Sequence, residues 1–328
     1  KLSLLKSLHL FMKKILITGG AGFIGTNLTK RLLAEGERVI VVDNLLTGRK
    51  ENLEQFESHP HFTFLHHDVT TPLPDEISAE AVFHLASPAS PNHHSSVSYH
   101  ALPMQTMMVN TIGTKLMLEF AKKHNASFLF ASTSEVYGDP LVHPQTEEYR
   151  GNVSSIGPRS VYDEAKRFGE TLVMHYVRQE NVNARIVRIF NTYGPFMSKI
   201  DQRMIVQFVQ QAIVNEPITL FGDGKQTRSL CFVDDLVEGI MRLMFYENTR
   251  GEVVNIGSTN EHTVYEYATI VKRLTGSSSE IRLSENLPED DPLKRQPDIS
   301  KAKKLLDWEP KVDLEAGLNT LIEYIKKA

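Results

Sequence analysis

The stretch Lys14-Ile15-Leu16-Ile17-Thr18-Gly19-Gly20-Ala21-Gly22-Phe23-Ile24-Gly25 decides the fold. Its first five residues form a short apolar run, the pattern of a strand buried on both faces. Glycines follow at Gly19, Gly22 and Gly25. Placed after a buried strand and before a helix-like run, Asn27–Glu35, that spacing makes a tight turn. It also points a helix amino end at a pyrophosphate. The next strand, Arg38–Val42, runs into Asp43, 18 residues after Gly25, where an adenosine ribose needs a hydrogen-bond acceptor.

Working outward, strands are expected at Phe62–Leu65, Ala81–Ala86, Phe128–Ala131 and Ala184–Phe190, with helices at Leu102–His124 and Arg159–Gln179. Alternating strands and helices specify an α/β fold, a Rossmann-type doubly wound parallel sheet. Residues 92–100 are polar and aperiodic, and read as a loop. After Phe190 the rhythm changes. A turn at Asn191–Pro195 precedes a helix at Arg203–Val214, a short strand at Thr219–Phe221 and the loop Gly222–Arg228. Strand and helix return at Leu230–Phe245, and a further strand at Val253–Gly257. Helices close the chain at Val264–Leu274 and Leu314–Lys326, separated by a polar stretch, Glu289–Arg295. The expected division is an extension over 1–11 and a dinucleotide-binding domain over 12–190, to which 229–258 returns. A smaller carboxyl-terminal α/β substrate-binding region takes 191–228 and 259–328. No low-complexity linker separates them, so the carboxyl part is expected to pack on the sheet.

Composition narrows the function. The chain has 328 residues, 41% of them hydrophobic, enough for a large core. Its net charge is −4 and its Lys and Arg are dispersed, which argues against nucleic acid. One cysteine, Cys231, excludes an intrachain disulfide and a Cys-based zinc site, and fits a reducing, cytoplasmic setting. His66-His67 and His93-His94 lack a carboxylate pattern that would complete a metal site, so no metal is expected. No apolar run reaches membrane-span length, so no membrane partner is expected. Residues 1–11 lack a small-residue cleavage site, and Met12 reads as the functional start.

The chemistry sits in Ser132-Thr133-Ser134-Glu135-Val136-Tyr137-Gly138 and in Tyr162-Asp163-Glu164-Ala165-Lys166. The first follows a strand end, where open α/β sheets place their sites. In the second, Tyr162 and Lys166 share a helix face. Only about one phenol in a thousand is ionised at pH 7, a deficit of roughly 4 kcal/mol. A cation about 4 Å away at an effective dielectric near 20 offsets about that much. Tyr162 is thus a candidate base for a sugar hydroxyl. Tyr-x-x-x-Lys alone is common on surface helices; its position after the glycine-rich turn and Thr133 gives it weight.

Long segments carry a resemblance: ILITGGAGFIG, VVDNLLTGRKENL, FHLASPASP, NTIGT, ASTSEVYGDP, GPRSVYDEAKR, RIFNTYGP, FGDGKQTRSLCFVDDLV and DDPLKRQPDISKAKKLLDWEP. From Met12 to its end the chain resembles extended short-chain dehydrogenases/reductases acting on nucleotide sugars, most closely the UDP-glucuronate decarboxylase family. The resemblance implies NAD as cofactor, UDP-glucuronate as substrate and UDP-xylose as product, through a UDP-4-keto intermediate with NAD recycled in the site. It implies that Gly19, Gly22, Phe23, Ile24 and Gly25 hold the pyrophosphate. Asp43 and Asn44 would take the adenosine ribose, Asp68 and Val69 the adenine, and Leu85, Ala86 and Ser87 would line the cofactor path. Thr133 would bond the sugar 4-hydroxyl and Tyr162 act as base. Lys166 would support Tyr162 and hold the nicotinamide ribose. Ser134 and Glu135 stand where related dehydratases carry an acid pair, and Glu135 is expected to destabilise the departing carboxylate. Asn191, Arg228 and Arg295 match positions that grip the uridine diphosphate, and Arg203 another substrate-side arginine. The resemblance also implies a homodimer through the Leu102–His124 and Arg159–Gln179 helices. The sequence departs from the animal-type pattern at a longer 92–102 segment and at Met108-Val109. Alternatives on this scaffold are a decarboxylase releasing the 4-keto pentose, a 4,6-dehydratase, a 4-epimerase, and a non-catalytic NAD-binding protein.

Overall fold

A computed structural model of the chain describes residues 12–201, 203–285 and 292–327. The extension over 1–11 and the acidic part of the polar stretch, Glu289–Asp291, lie outside the described residues.

Seven parallel strands form the central sheet: β1 Lys14–Thr18, β2 Arg38–Asp43, β3 Phe62–His66, β4 Ala81–His84, β5 Ser127–Thr133, β6 Ala184–Ile189 and β7 Val253–Ile256. Their order across the sheet is β7-β6-β5-β4-β1-β2-β3. The chain winds one way from β1 through β3 and the other way from β4 onward. The switch between β1 and β4 therefore opens a crevice at the carboxyl ends of the strands. The fold is the expected doubly wound one. Alternate residues of each strand face opposite layers. Ile15, Ile17, Val39 and Val41 join one core, and Leu16, Ile40 and Val42 the other. Both faces are covered, which is why these strands read as unbroken apolar runs.

Helices α1 Phe23–Ala34, α2 Pro103–Met108, α3 Thr114–His124 and α4 Ser160–Gln179 belong to the amino-terminal part. The expected single helix over Leu102–His124 is interrupted by a π-helical turn, Val109–Gly113. Such a turn inserts one residue into the helical ladder and is frequent at functional sites. Helix α4 lies close against β5 at Gly169, where a Cβ would stand 2.5 Å from Cζ of the buried Phe130.

The carboxyl-terminal part adds α5 Met204–Ile213, α6 Val233–Phe245 and α7 Val264–Thr275. It packs on the sheet through one continuous core, from Ile15 on β1 to Leu321 and Ile325 of the last helix, Leu314–Lys327. Asp235 ties the tail to α6: its Oδ2 accepts from the backbone N–H groups of Lys311 and Val312 at 2.9 and 2.8 Å. Several short elements differ from the sequence reading. Asn191–Pro195, read as a turn, contains the strand Thr192–Tyr193, paired with Cys231–Phe232. Thr227–Ser229 pairs with Glu261–Thr263, Ile281–Glu285 pairs with Ile218–Phe221, and Ser300–Leu306 is helical. Two- and three-residue strands carry too little periodicity to be read without their partners.

Candidate active site

One cleft of about 930 Å³ runs across the switch point. It is lined by Gly19, Gly22, Phe23, Ile24, Gly25, Asp43, Asn44, Asp68, Val69, Leu85, Ala86 and Ser87 at one end, and by Thr133, Ser134, Glu135, Tyr162, Lys166, Asn191, Arg203, Arg228 and Arg295 at the other. Every site residue expected from sequence is therefore brought to one cavity.

The dinucleotide end follows from local constraints. Gly19 has φ +73°, and a Cβ there would meet the Ala86 backbone at 2.8 Å. The turn thus lies against the β4 exit with no side chain between them. Asp43, at the end of β2, accepts from the N–H groups of Ala21 at 3.0 Å and Leu45 at 2.9 Å. Burial pushes its carboxyl up, while those two N–H groups pull it back. Asn44 donates to Asp68 Oδ2 at 3.0 Å, linking the two acids of this wall. A bare glycine turn at a helix start, with an acid on the neighbouring strand end, fits NAD.

At the sugar end, Thr133 closes β5 and Tyr162 and Lys166 project from α4 one turn apart. Thr133 Oγ1 accepts from Glu135 N–H at 3.2 Å, starting the 3₁₀ turn Ser134–Tyr137. Burial pushes the Tyr162 phenol up, and its hydrogen bond with Thr133 pulls the other way. Lys166 Nζ donates to the Ala131 carbonyl at 2.6 Å and stands 5.8 Å from the Tyr162 ring centre. Burial lowers its ammonium to about 7, against the pull of Glu170. The expectation from sequence is that Lys166 largely offsets the cost of ionising Tyr162. The lysine is near, but desolvation acts on both groups and weakens the cation itself.

Glu135 differs most from its expected part. Its carboxylate is ion-paired with both Arg159 and Arg295; the two arginines are buried and Glu135 is largely so. Burial alone would raise it; the two guanidinium groups outweigh burial and hold it ionised. Glu135 therefore offers no unopposed negative charge to a departing carboxylate. Arg295, expected to grip a diphosphate, spends its terminal nitrogens on Glu135 and on the Gly138 carbonyl at 3.2 Å. Its buried Nε has no partner among the described residues. Beside them Asp163 is buried, and burial and then the charge of Glu135 push its carboxyl up. Arg203, paired with Asp201 at 2.7 Å, is close enough to favour the Tyr162 anion.

Behind the cleft, Ser132 and Arg188 converge on Glu170, at 2.6 Å and at 2.9 and 2.8 Å. Arg188 also donates to the Tyr137 hydroxyl at 2.9 Å, which donates to Asn255 on β7 at 2.8 Å. This network locks the β5 exit turn to α4, β6 and β7. Sequence reading missed Arg159, Asp163, Asn110 and Tyr99. Arg159 lies three residues before Tyr162, a spacing that places both on one helix face. Asn110, in the π-helical turn, donates to Ser87 Oγ at 2.9 Å, and its buried Oδ1 has no partner among the described residues. Nothing in the polar 92–100 segment signals Tyr99.

A doubly wound parallel sheet with a Thr–Tyr–Lys cluster at its carboxyl edge defines a Rossmann-type extended short-chain dehydrogenase/reductase. A family model described as GDP-mannose 4,6 dehydratase matches residues 16–321, and the chain belongs to that family. UDP-glucuronic acid decarboxylase 1 of Xenopus tropicalis is 50% identical over 316 residues, 96% of this chain and 72% of that protein. UDP-glucuronic acid decarboxylase 2 of Arabidopsis thaliana is 51% identical over 310 residues, 94% of this chain and 67% of that protein. Among solved structures, UDP-glucuronic acid 4-epimerase from Bacillus cereus, in complex with UDP-glucuronic acid and NAD, superposes with a TM-score of 0.83. It is 29% identical and covers 96% of this chain and 99% of its own. A dTDP-glucose 4,6-dehydratase from Streptomyces venezuelae, with NAD bound, gives 0.85 at 27% identity over 96% and 97%.

Proposed function

We propose that this protein is a NAD-dependent carboxy-lyase that converts UDP-glucuronate to UDP-xylose and carbon dioxide. The observation that carries the reading is the buried Thr133–Tyr162–Lys166 cluster in a chain half identical, over 96% of its length, to a UDP-glucuronic acid decarboxylase. Gly19–Gly25 and Asp43 would hold NAD, which would supply a reversible hydride acceptor for sugar C4 and so would not be consumed.

Tyr162 accepts the proton of the 4-hydroxyl, and Thr133 holds the same oxygen. The resulting ketone is beta to the C5 carboxylate. The C5–carboxyl bond breaks, carbon dioxide leaves, and the bonding pair moves into the ketone as an enolate. Hydrogen bonds from Tyr162 and Thr133 to that oxygen stabilise the charge as it forms. A proton then adds at C5. Asn191 and Arg228 hold the uridine diphosphate through these steps, Arg203 is a further arginine on the substrate side, and Arg295 lines the same cavity while paired with Glu135. Ser134 beside Glu135 leaves no acid pair for a 4,6-dehydration. Glu135, clamped by Arg159 and Arg295, fixes the turn that presents Thr133.

Residues 12–190 with 229–258 carry the cofactor in this reading, and 191–228 with 259–328 the nucleotide sugar. A homodimer is proposed through the helical segment 102–124 and α4, where Phe168 is exposed. A cytoplasmic setting is proposed on the buried free thiol of Cys231. The test is incubation of the purified protein with UDP-glucuronate. The expected result is equimolar carbon dioxide and UDP-xylose without net NADH. Stoichiometric NADH and a free 4-keto pentose indicate the oxidative decarboxylase instead; a UDP-hexuronate epimer without carbon dioxide overturns the reading.

A further inference from the structure

The loop over residues 92–100 delivers an aromatic column to the back of Tyr162. Tyr99 stacks on the Tyr162 ring with centroids 4.9 Å apart and planes 6° from parallel. His100 lies 4.4 Å beyond Tyr99, and His93 stacks on His100 at 3.8 Å. Tyr99 is wholly buried, yet its hydroxyl has no hydrogen-bond partner among the described residues. A buried tyrosine that leaves its hydroxyl unused is held for its ring. The segment itself is pinned: Tyr99 N–H donates to the Ser90 carbonyl at 3.1 Å, and Ser98 N–H to the Ser95 carbonyl at 3.1 Å. The guanidinium of Arg159, which clamps Glu135, lies 6.0 Å from the Tyr99 ring centre.

We propose that Tyr99 is a positioning residue for the reaction: its ring fixes the plane of Tyr162 and keeps water from that face of the phenol. The phenol must meet the 4-hydroxyl within hydrogen-bond reach and in one orientation, because proton transfer falls steeply with misplacement. Lys166 and Thr133 line the cleft together with Tyr162. Tyr99 supplies the opposing wall, so that α4 and the 92–100 loop hold the ring between them.

The inference rests on Tyr162 being the base, and a double-mutant cycle separates the two claims. Turnover of UDP-glucuronate, UDP affinity and the pH profile of kcat are measured for Tyr99→Leu, Tyr99→Phe, Tyr162→Phe and Tyr99→Leu/Tyr162→Phe. Leucine fills much of the space without a ring to stack; phenylalanine keeps the ring and drops the unused hydroxyl. The expected result is a loss of about 10- to 100-fold in kcat for Tyr99→Leu. Its UDP affinity is unchanged and the acidic limb of its pH profile, where the base titrates, is displaced, while Tyr99→Phe stays within about threefold of the parent. In the Tyr162→Phe background, Tyr99→Leu has no further effect on the residual rate. Equal kcat in Tyr99→Leu and parent, or a Tyr99→Leu loss that persists undiminished without the Tyr162 hydroxyl, overturns the proposal. If Tyr99→Leu does not fold, a loss in Tyr99→Phe as large as in Tyr162→Phe overturns it too. Near-parental turnover in Tyr162→Phe itself refutes the assignment of the base instead.

Discussion

At the residue scale, burial sets the electrostatics of this site more than any single charge pair. Asp163 shows it most plainly. Burial raises its carboxyl, Glu135 raises it further, and Arg159 and Arg295 oppose. A carboxyl raised in the folded state keeps its proton where the unfolded chain has lost it. The folded form then binds more protons, so stability falls as pH rises above the ordinary carboxylate range. Asp163→Asn removes that dependence. Urea unfolding of both forms at a series of pH values is expected to show the variant gaining on the parent as pH increases; parallel curves contradict the burial argument. Asp43 gives a second test. Its carboxylate, fixed by Ala21 and Leu45, would face the extra phosphate of NADP. Two like charges about 4 Å apart cost roughly 4 kcal/mol at an effective dielectric near 20. Titration is therefore expected to show NAD bound far more tightly than NADP, and equal affinities would remove Asp43 from the ribose.

At the element scale, α4 is the part whose placement matters most, because Tyr162 and Lys166 ride on it. Its approach to β5 depends on Gly169, where the missing side chain leaves room for Phe130. Phe130 is fully buried, and Lys166 Nζ lies 4.9 Å from its ring centre, so neither ring nor helix moves alone. Gly169→Ala is expected to cost about 1–3 kcal/mol of stability, the range for overpacking a close contact. The midpoint of urea denaturation checks this. Turnover should fall with it, since a displaced α4 carries the base away from Thr133. The strands, the glycine-rich turn and α4 were legible in the sequence because their periodicities run over many residues. The π-helical turn Val109–Gly113 was not, because its apolar spacing matches that of the flanking helix.

At the scale of the whole molecule, the returning strand β7 and the shared core join the two parts of the chain across the cleft. The site is assembled from both, with Thr133 and Tyr162 from the sheet side and Arg228 and Arg295 from the other. The proposed dimer adds a further level. Phe168 on α4 is 51% exposed and Ile112, between α2 and α3, is 45% exposed, large apolar groups on the expected interface helices. Sedimentation is expected to give a dimer for the parent and a smaller species for Phe168→Glu. A monomeric parent would place the interface elsewhere or nowhere.

The sequence by itself determined the doubly wound fold, the cleft at the strand ends and the chemical kinds of residue lining it. Those properties are local: an apolar run, a glycine spacing and a helical i, i+4 pair need no distant partner to be read. Only the tertiary structure decided how the side chains share their charges. Glu135 and Arg295, 160 positions apart, pair because the segment around Arg295 folds back over the β5 exit turn. Tyr99 lies against Tyr162 because the backbone of its loop is pinned at Ser90. Such contacts are set by chain topology and by the need to neutralise buried charge, and neither leaves a periodic trace in the residues themselves.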